Sequence, residues 1–216
     1  MSIQIQGFSG FVAEVEQNTK AMRVVLRPID YGSFGIFQVA LSSGTMAAGL
    51  AAAASVFQWR WSDATRVAKV TTICHGGAGS IAAFAAGFTQ AQAFFARSYS
   101  ANGSGGTAAT MTGNNGKLRT SMGTSLVGDI RISSTAALTA GTWTLDAQPF
   151  ASVTASVPAT AGNQVLPPTL LFNCETESEY PLVVAQNEGF NLQSTVPATG
   201  TWTFSIACKW AELGSY

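Results

Sequence analysis

The residues best equipped for chemistry crowd together in Val70-Thr71-Thr72-Ile73-Cys74-His75-Gly76-Gly77-Ala78-Gly79-Ser80-Ile81-Ala82-Ala83-Phe84. A strand-like run passing into Gly77-x-Gly79-x-x-Ala82 and then into alanines has the outline of a dinucleotide phosphate loop. That fold also places an acidic residue about twenty positions on for the ribose, and no Asp or Glu occurs between Asp63 and Asp129. The cofactor reading fails on this, and no cofactor is expected. His75, the only histidine, stands before Gly76-Gly77 in the form of the backbone oxyanion loop of some esterases. A serine triad would need this histidine while borrowing its neighbours for the oxyanion hole, and the chain has no Gly-x-Ser-x-Gly turn. As a metal ligand His75 lacks spaced partners, since Cys74 is adjacent and Cys174 and Cys208 are isolated. It reads as a turn residue.

Glu175, Glu177 and Glu179 alternate, so an extended backbone would set all three on one face, where they could hold a hard cation such as calcium. The glycine and Asp/Asn spacing of a calcium loop is missing, and a solvated edge that discourages strand pairing is the simpler reading. Paired carboxylates of the glycosidase kind leave no spacing signature, but only 11 acidic residues are available to form them. No catalytic or metal-binding residue is assigned. Trp59, Trp61, Trp143, Trp202 and Trp210 could stack on sugar rings if exposed. Parity with Phe57, Phe204 and Ile206 puts most of them in a core, leaving Trp143 and Trp210 open.

The elements that must position these residues read as short strands. Thr201 to Trp210 puts Trp202, Phe204, Ile206, Cys208 and Trp210 on one face and Thr201, Thr203, Ser205 and Lys209 on the other, a half-buried strand. Before it, Phe190, Leu192 and Val196 share a parity, and Pro197-Ala198-Thr199-Gly200 offers turn chemistry, so a closing hairpin is expected. Val56 to Trp61 and Arg66 to Ile73, joined by Ser62-Asp63-Ala64-Thr65, form a second expected hairpin. Gly35 to Leu41, Phe88 to Tyr99, Leu126 to Ile132, Thr142 to Asp146, Phe150 to Val157 and Thr169 to Phe172 add strands. Met46 to Ala54 is a short helix or an irregular crossing. Residues 100 to 125 form a long Gly/Ser/Thr/Asn-rich loop of the functional or mobile kind. Roughly eight to ten strands spaced by turns predict an all-β, antiparallel β-sandwich, jelly-roll-like. Residues 35–216 would make this domain, preceded by residues 1–34 as an extended N-terminal arm or edge strands.

Composition narrows the setting. Only 10% of residues are charged, against roughly 25% in typical soluble chains, which suits a surface buried in an assembly. Zero formal net charge and the absence of a basic block argue against nucleic acid. Ala47 to Val56 is too short to span a bilayer, so no membrane association is expected. The opening residues lack a secretion signal, and three distant cysteines suit reduced thiols made in a cytoplasm.

Tyr180-Pro181-Leu182-Val183-Val184-Ala185-Gln186-Asn187-Glu188-Gly189-Phe190, then Thr195-Val196-Pro197-Ala198-Thr199-Gly200-Thr201-Trp202 and Lys209-Trp210-Ala211-Glu212, resembles the C-terminal half of uncharacterised virion proteins of tailed bacteriophages. Val25-Leu26-Arg27-Pro28 with Tyr31-Gly32, and Leu118-Arg119-Thr120-Ser121-Met122-Gly123, are similar to the same group. The resemblance implies a particle component and carries over no catalytic residues, so an enzyme is not expected. The leading expectation is a capsid cement or decoration protein, made in the host cytoplasm and located on the head surface of the virion. It would dock as a homo-oligomer, such as a trimer, on the major capsid protein lattice. Its expected contacts are Ile3, Ile5, Phe8 and Phe11 of the arm, Lys117 and Arg119 of the long loop, and Trp210. An alternative is a receptor- or carbohydrate-binding head module of a tail or head fibre, using Trp143 and Trp210. A hydrolase dependent on His75 is the third.

Overall fold

The computed structural model describes the backbone of residues 5–6 and 12–13, and residues 34–50, 53–157, 165–174 and 181–214. Among them, strands follow in the order β1 (Ile5–Gln6), β2 (Val12–Ala13), β3 (Ile36–Ser42), β4 (Met46–Ala47), β5 (Ala54–Trp61), β6 (Val67–Ala82), β7 (Gly87–Ala101), β8 (Thr107–Ala108), β9 (Val127–Ile132), β10 (Thr142–Leu145), β11 (Ala151–Val157), β12 (Val165–Leu166), β13 (Thr169–Asn173), β14 (Leu182–Val184), β15 (Glu188–Thr195) and β16 (Thr201–Leu213). β1 and β2 pair with each other. One sheet runs β3-β16-β6, with β12, β13 and β14 in succession along the far edge of β6 and β4 beside β16. The other runs β10-β7-β15-β5-β9-β8, with β11 also on β7. All pairings are antiparallel.

The two sheets pack face to face as a β-sandwich. Reduced to its long strands, the order β3-β16-β6-β13 faces β5-β15-β7-β11, the wrapping of an eight-stranded jelly roll, and β9 with β8 extends the β5 edge. Inward parity decides the core. Phe57, Trp59 and Trp61 of β5 and Trp202, Phe204, Ile206, Cys208 and Trp210 of β16 are all buried, as period-two alternation requires. Trp210 bridges the sheets: its ring stacks on Phe37 at 5.8 Å and meets Trp59 edge-on at 5.7 Å.

Two expected hairpins are corrected. β15 and β16 lie in different sheets, as do β5 and β6, so residues 196–200 and 62–66 are arches that cross the sandwich. Alternation fixes which face of a strand is buried and says nothing about which neighbour shares its ladder, so both connections look alike in sequence. At the 62–66 arch, Asp63 Oδ1 accepts from the N–H groups of Thr65 and Arg66, and Trp61 Nε1 donates to the Arg66 carbonyl at 2.9 Å. Met46 to Ala54 contains no helix among its described residues: β4 runs into Gly49, whose φ of +94° is favourable for glycine.

The stretch around His75 is also corrected. β6 continues unbroken through the glycines to Ala82, so there is neither a phosphate loop nor a following helix. His75 is a buried strand residue and not a turn residue. Its glycines make a β-bulge: Phe204 and Ile206 of β16 pair with Ala78 and His75, leaving Gly76 and Gly77 opposite a single residue, with Gly77 at φ +102°.

Residues 102–126 have little regular structure but are firmly attached. Lys117 pairs with Phe37 on the outer edge of β3, where Gln38 N–H donates to the Gly116 carbonyl at 2.8 Å and Leu118 N–H to Ile36 at 3.2 Å. Farther on, buried Glu212 accepts from Ser125 Oγ at 2.6 Å and from Leu126 N–H at 3.0 Å. Other parts of the insertion between β7 and β10 cover the outer face of β5. Gln58, although it points away from the core, is fully buried: Tyr99 donates to its Oε1 at 2.8 Å, and Gly103 lies against its side-chain amide. A Cβ at Gly103 would collide with that amide. Gly103→Val is therefore expected to lower stability by about 1–3 kcal/mol, the usual cost of overpacking, measured by chemical denaturation; an unchanged midpoint would mean that this cover is not closed.

Candidate functional site

The sandwich has two chemically opposite ends. At the end containing the 62–66 arch, β7 bulges: Thr142 and Thr144 of β10 pair with Ala101 and Arg97, so the β7 residues between are looped out. Ser98 sits at φ 51° and Asn187, across the gap, at φ 60°. Non-glycine residues adopt this region at a cost and gather where the surrounding structure imposes it. Here the constraint is visible. Tyr99 N–H donates to the Asn187 carbonyl at 2.6 Å, while Arg60 donates to the carbonyls of Tyr99 and Ser100 at 2.6 and 2.9 Å and to Asn102 Oδ1 at 2.7 Å.

The result is an open cleft of about 520 Å³ walled by Arg97, Ser98, Ser100, Gln186, Asn187 and Glu188. Arg97 holds Asp146 at 3.2 Å and Glu188 at 2.9 Å, with its guanidinium 3.6 Å above the Phe95 ring. Exposed pairs of this kind contribute at most about 1 kcal/mol, so they orient the corner more than they stabilise it. The cleft offers hydroxyl and amide groups and an ion cluster of one guanidinium with two carboxylates. His75 is on the other sheet and does not line the cleft.

His75 itself is sealed. Its ring stacks on Phe204 at 6.2 Å, its Nδ1 accepts from Gly77 N–H at 3.2 Å, and burial pulls its pKa down to about 4. Neutral and enclosed, it acts as a core aromatic. Cys208 is equally enclosed and burial pushes its thiol up, consistent with the small core hydrophobe that its parity implies. No group of three His, Cys, Asp or Glu able to hold a metal ion occurs among the described residues.

The opposite end is built from residues 46–50, 80–88, 133–138, 165–168 and 195–201, and none of these is Asp, Glu, Lys or Arg. Ile81 is 56% exposed there and Phe88 49%, surrounded by exposed Ala82, Ala83, Ala85 and Ala198. Arg60, Asp63, Arg66, Arg97, Asp146 and Glu188 lie at the 62–66 end. Exposed apolar groups without charge among them match the composition of interface centres, which are depleted in charged residues.

The expected contact residues are distributed unevenly. Lys117 is half-buried on the β3 edge and Arg119 is exposed in the turn closed by Met122 N–H to its carbonyl, both far from the charge-free end. Trp210 is corrected outright: with 0% exposure it packs inside its own subunit and has no surface to offer a partner or a glycan. Of the two tryptophans assigned to sugar binding, only Trp143 stays half-buried, edge-on to Tyr99 at 4.7 Å beside the cleft. Ile3, Phe8, Phe11 and the acidic run Glu175, Glu177 and Glu179 lie outside the described residues; of Ile5 only the backbone pairing with Ala13 is described. Comparison of the chain with protein-family models and with curated proteins finds no match.

Proposed function

We propose that the protein is a structural component of a tailed-bacteriophage virion, a capsid cement or decoration protein that docks as a homo-oligomer on the major capsid protein lattice and stabilises the head. The observation that carries this reading is the charge-free end with exposed Ile81 and Phe88. An isolated particle gains nothing from such an end, whereas a neutral protein lattice can bury it without desolvating an ion. The resemblance of residues 180–190, 195–202, 209–212 and 118–123 to virion proteins supplies the setting. In this arrangement the charged end, with its cleft, faces outward.

The test is binding to heads stripped of this protein. Wild-type protein is expected to rebind at a fixed copy number relative to the capsid protein and to protect heads against heat or chelation. Ile81→Glu combined with Ala198→Glu should reduce binding at least tenfold with the melting temperature unchanged, because two exposed positions then carry charge into the contact. Undiminished binding by that variant, or localisation of the chain to the tail, would overturn the reading.

A further inference from the structure

The edges of the two sheets are protected in different ways, and one of them is not. β3 is covered by the 116–118 segment. β9 ends the other sheet with Asp129 and Arg131 on it, and is partly capped by two-residue β8. β13 is broken by a register shift between Leu170 and Phe172 and preceded by Pro167-Pro168, and β14 has three residues. These are the devices by which native sheets avoid pairing with other chains: cover, charge, irregularity, proline and shortness.

β11 has none of them within its span, and its prolines, Pro149 and Pro158, stand outside it. Its seven residues, Ala-Ser-Val-Thr-Ala-Ser-Val, pair with β7 in unbroken register from Ala151↔Ala93 to Val157↔Gly87, and no described strand pairs with its other side. It carries no charge, and Ser152, Thr154 and Ser156 are exposed. Exposed apolar side chains gather beside it. Phe88 is on β7 opposite Ser156, Phe150 (36% exposed) immediately precedes the strand, and Leu170 (54% exposed) is on β13, the facing edge of the other sheet.

We propose that β11 is a dimerisation edge, on which the β11 of a second copy pairs antiparallel about a two-fold axis at Thr154. This deepens the homo-oligomer of the reading above and rests on it. The strand is self-complementary about its centre. Thr154 would face Thr154 of the partner subunit, Ser152 would face Ser156 of the partner subunit, and Val153 would face Ala155 of the partner subunit. Small hydroxyl residues then meet on the outer side and small apolar residues on the inner side, with no like charges opposed. The β11-β7-β15-β5 sheet becomes one continuous sheet across two protomers, and Phe150 and Leu170 come under cover at the join. A foreign strand could use the same backbone groups, but the centred pattern selects a second copy.

Sedimentation of the purified chain over a range of concentrations tests this. The wild type is expected to be a dimer. Thr154→Lys places two like charges on the axis and should weaken dimerisation at least tenfold, and S152K with S156K should do the same by opposing lysines twice. S152E with S156K opposes unlike charges in the same register and should stay dimeric. All three side chains are exposed in the protomer, so circular dichroism and melting of the monomer should be preserved. A wild type monomeric at every concentration, an oligomer indifferent to Thr154→Lys, or equal loss in the two double variants would overturn the proposal. Head binding is read separately through Ile81 and Ala198, so failure of the edge and failure of the docking reading give different results.

Discussion

Replacing Trp210 with alanine is expected to cost about 3–5 kcal/mol of stability, the usual range for removing a large buried aromatic. The ring is fully enclosed, stacked on Phe37 and edge-on to Trp59, so it is the contact through which β3, β16 and β5 meet across the sandwich. Its Nε1 also donates to Glu212 Oε1 at 3.4 Å, and the truncation removes one of the donors that keep that buried carboxylate satisfied. At roughly 2–4 °C per kcal/mol for a chain of this size, the melting temperature should fall by on the order of 10 °C. Trp143→Ala, at a half-buried surface site, is the control and should cost much less. If the two variants melt together, Trp210 is not the bridge between the sheets.

Acid should destabilise the fold through His75. Burial lowers its pKa from 6.5 to about 4 in the folded chain. The sign follows from proton counting. Between these values the unfolded chain binds a proton that the folded chain refuses, so stability is intact above about pH 6.5, declines as the pH falls, and levels off near pH 4. At about 1.4 kcal/mol for each tenfold change in proton affinity, the full loss is about 3 kcal/mol. His75→Phe keeps an aromatic ring against Phe204 and removes the titration, so its stability should be flatter across this range. Glu212 acts in the opposite sense: burial raises its pKa, so its contribution to stability grows as the pH falls toward the ordinary carboxylate range. Glu212→Gln separates the two. Denaturant titrations at pH 7, 5.5 and 4 measure the effect, and a Glu212→Gln variant with His75 intact that is as stable at pH 4 as at pH 7 would refute it.

Side-chain parity was legible in the sequence to the level of individual residues. The inward set of β16, Trp202 to Trp210, and the Phe57, Trp59 and Trp61 set of β5 follow from period two alone, and with enough such strands so does the sandwich. Partners were not legible, because a hairpin and an arch bury the same parity. His75 was misread for a related reason: glycines signal a turn when local propensity alone is considered, but inside a long strand they make a bulge, and only the pairing with β16 distinguishes the two. The long insertion looked loose by composition, yet its attachment to β3 uses backbone groups, which leave no side-chain signature. The charge-free end did leave a signal. Residues 31–59, 70–96, 147–174 and 189–208 contain no Asp, Glu, Lys or Arg. All four runs span strands on both sheets. The spacing of the charges therefore traces the polarity of the molecule before any partner is known.

The position of β16 also sets the order in which the chain can mature. It is the last described strand, yet it stands between β3 and β6 and pairs with both. Until it emerges, β3 lacks its main partner and one face of the hydrophobic interior stays open. During synthesis the first sheet must therefore wait for nearly the whole sandwich, as sequence-distant pairing generally dictates. The β5-β15-β7 sheet needs only β15, some residues earlier, and has the opportunity to form first. A nascent chain halted between the two would present a half-built sandwich, the species most in need of a chaperone.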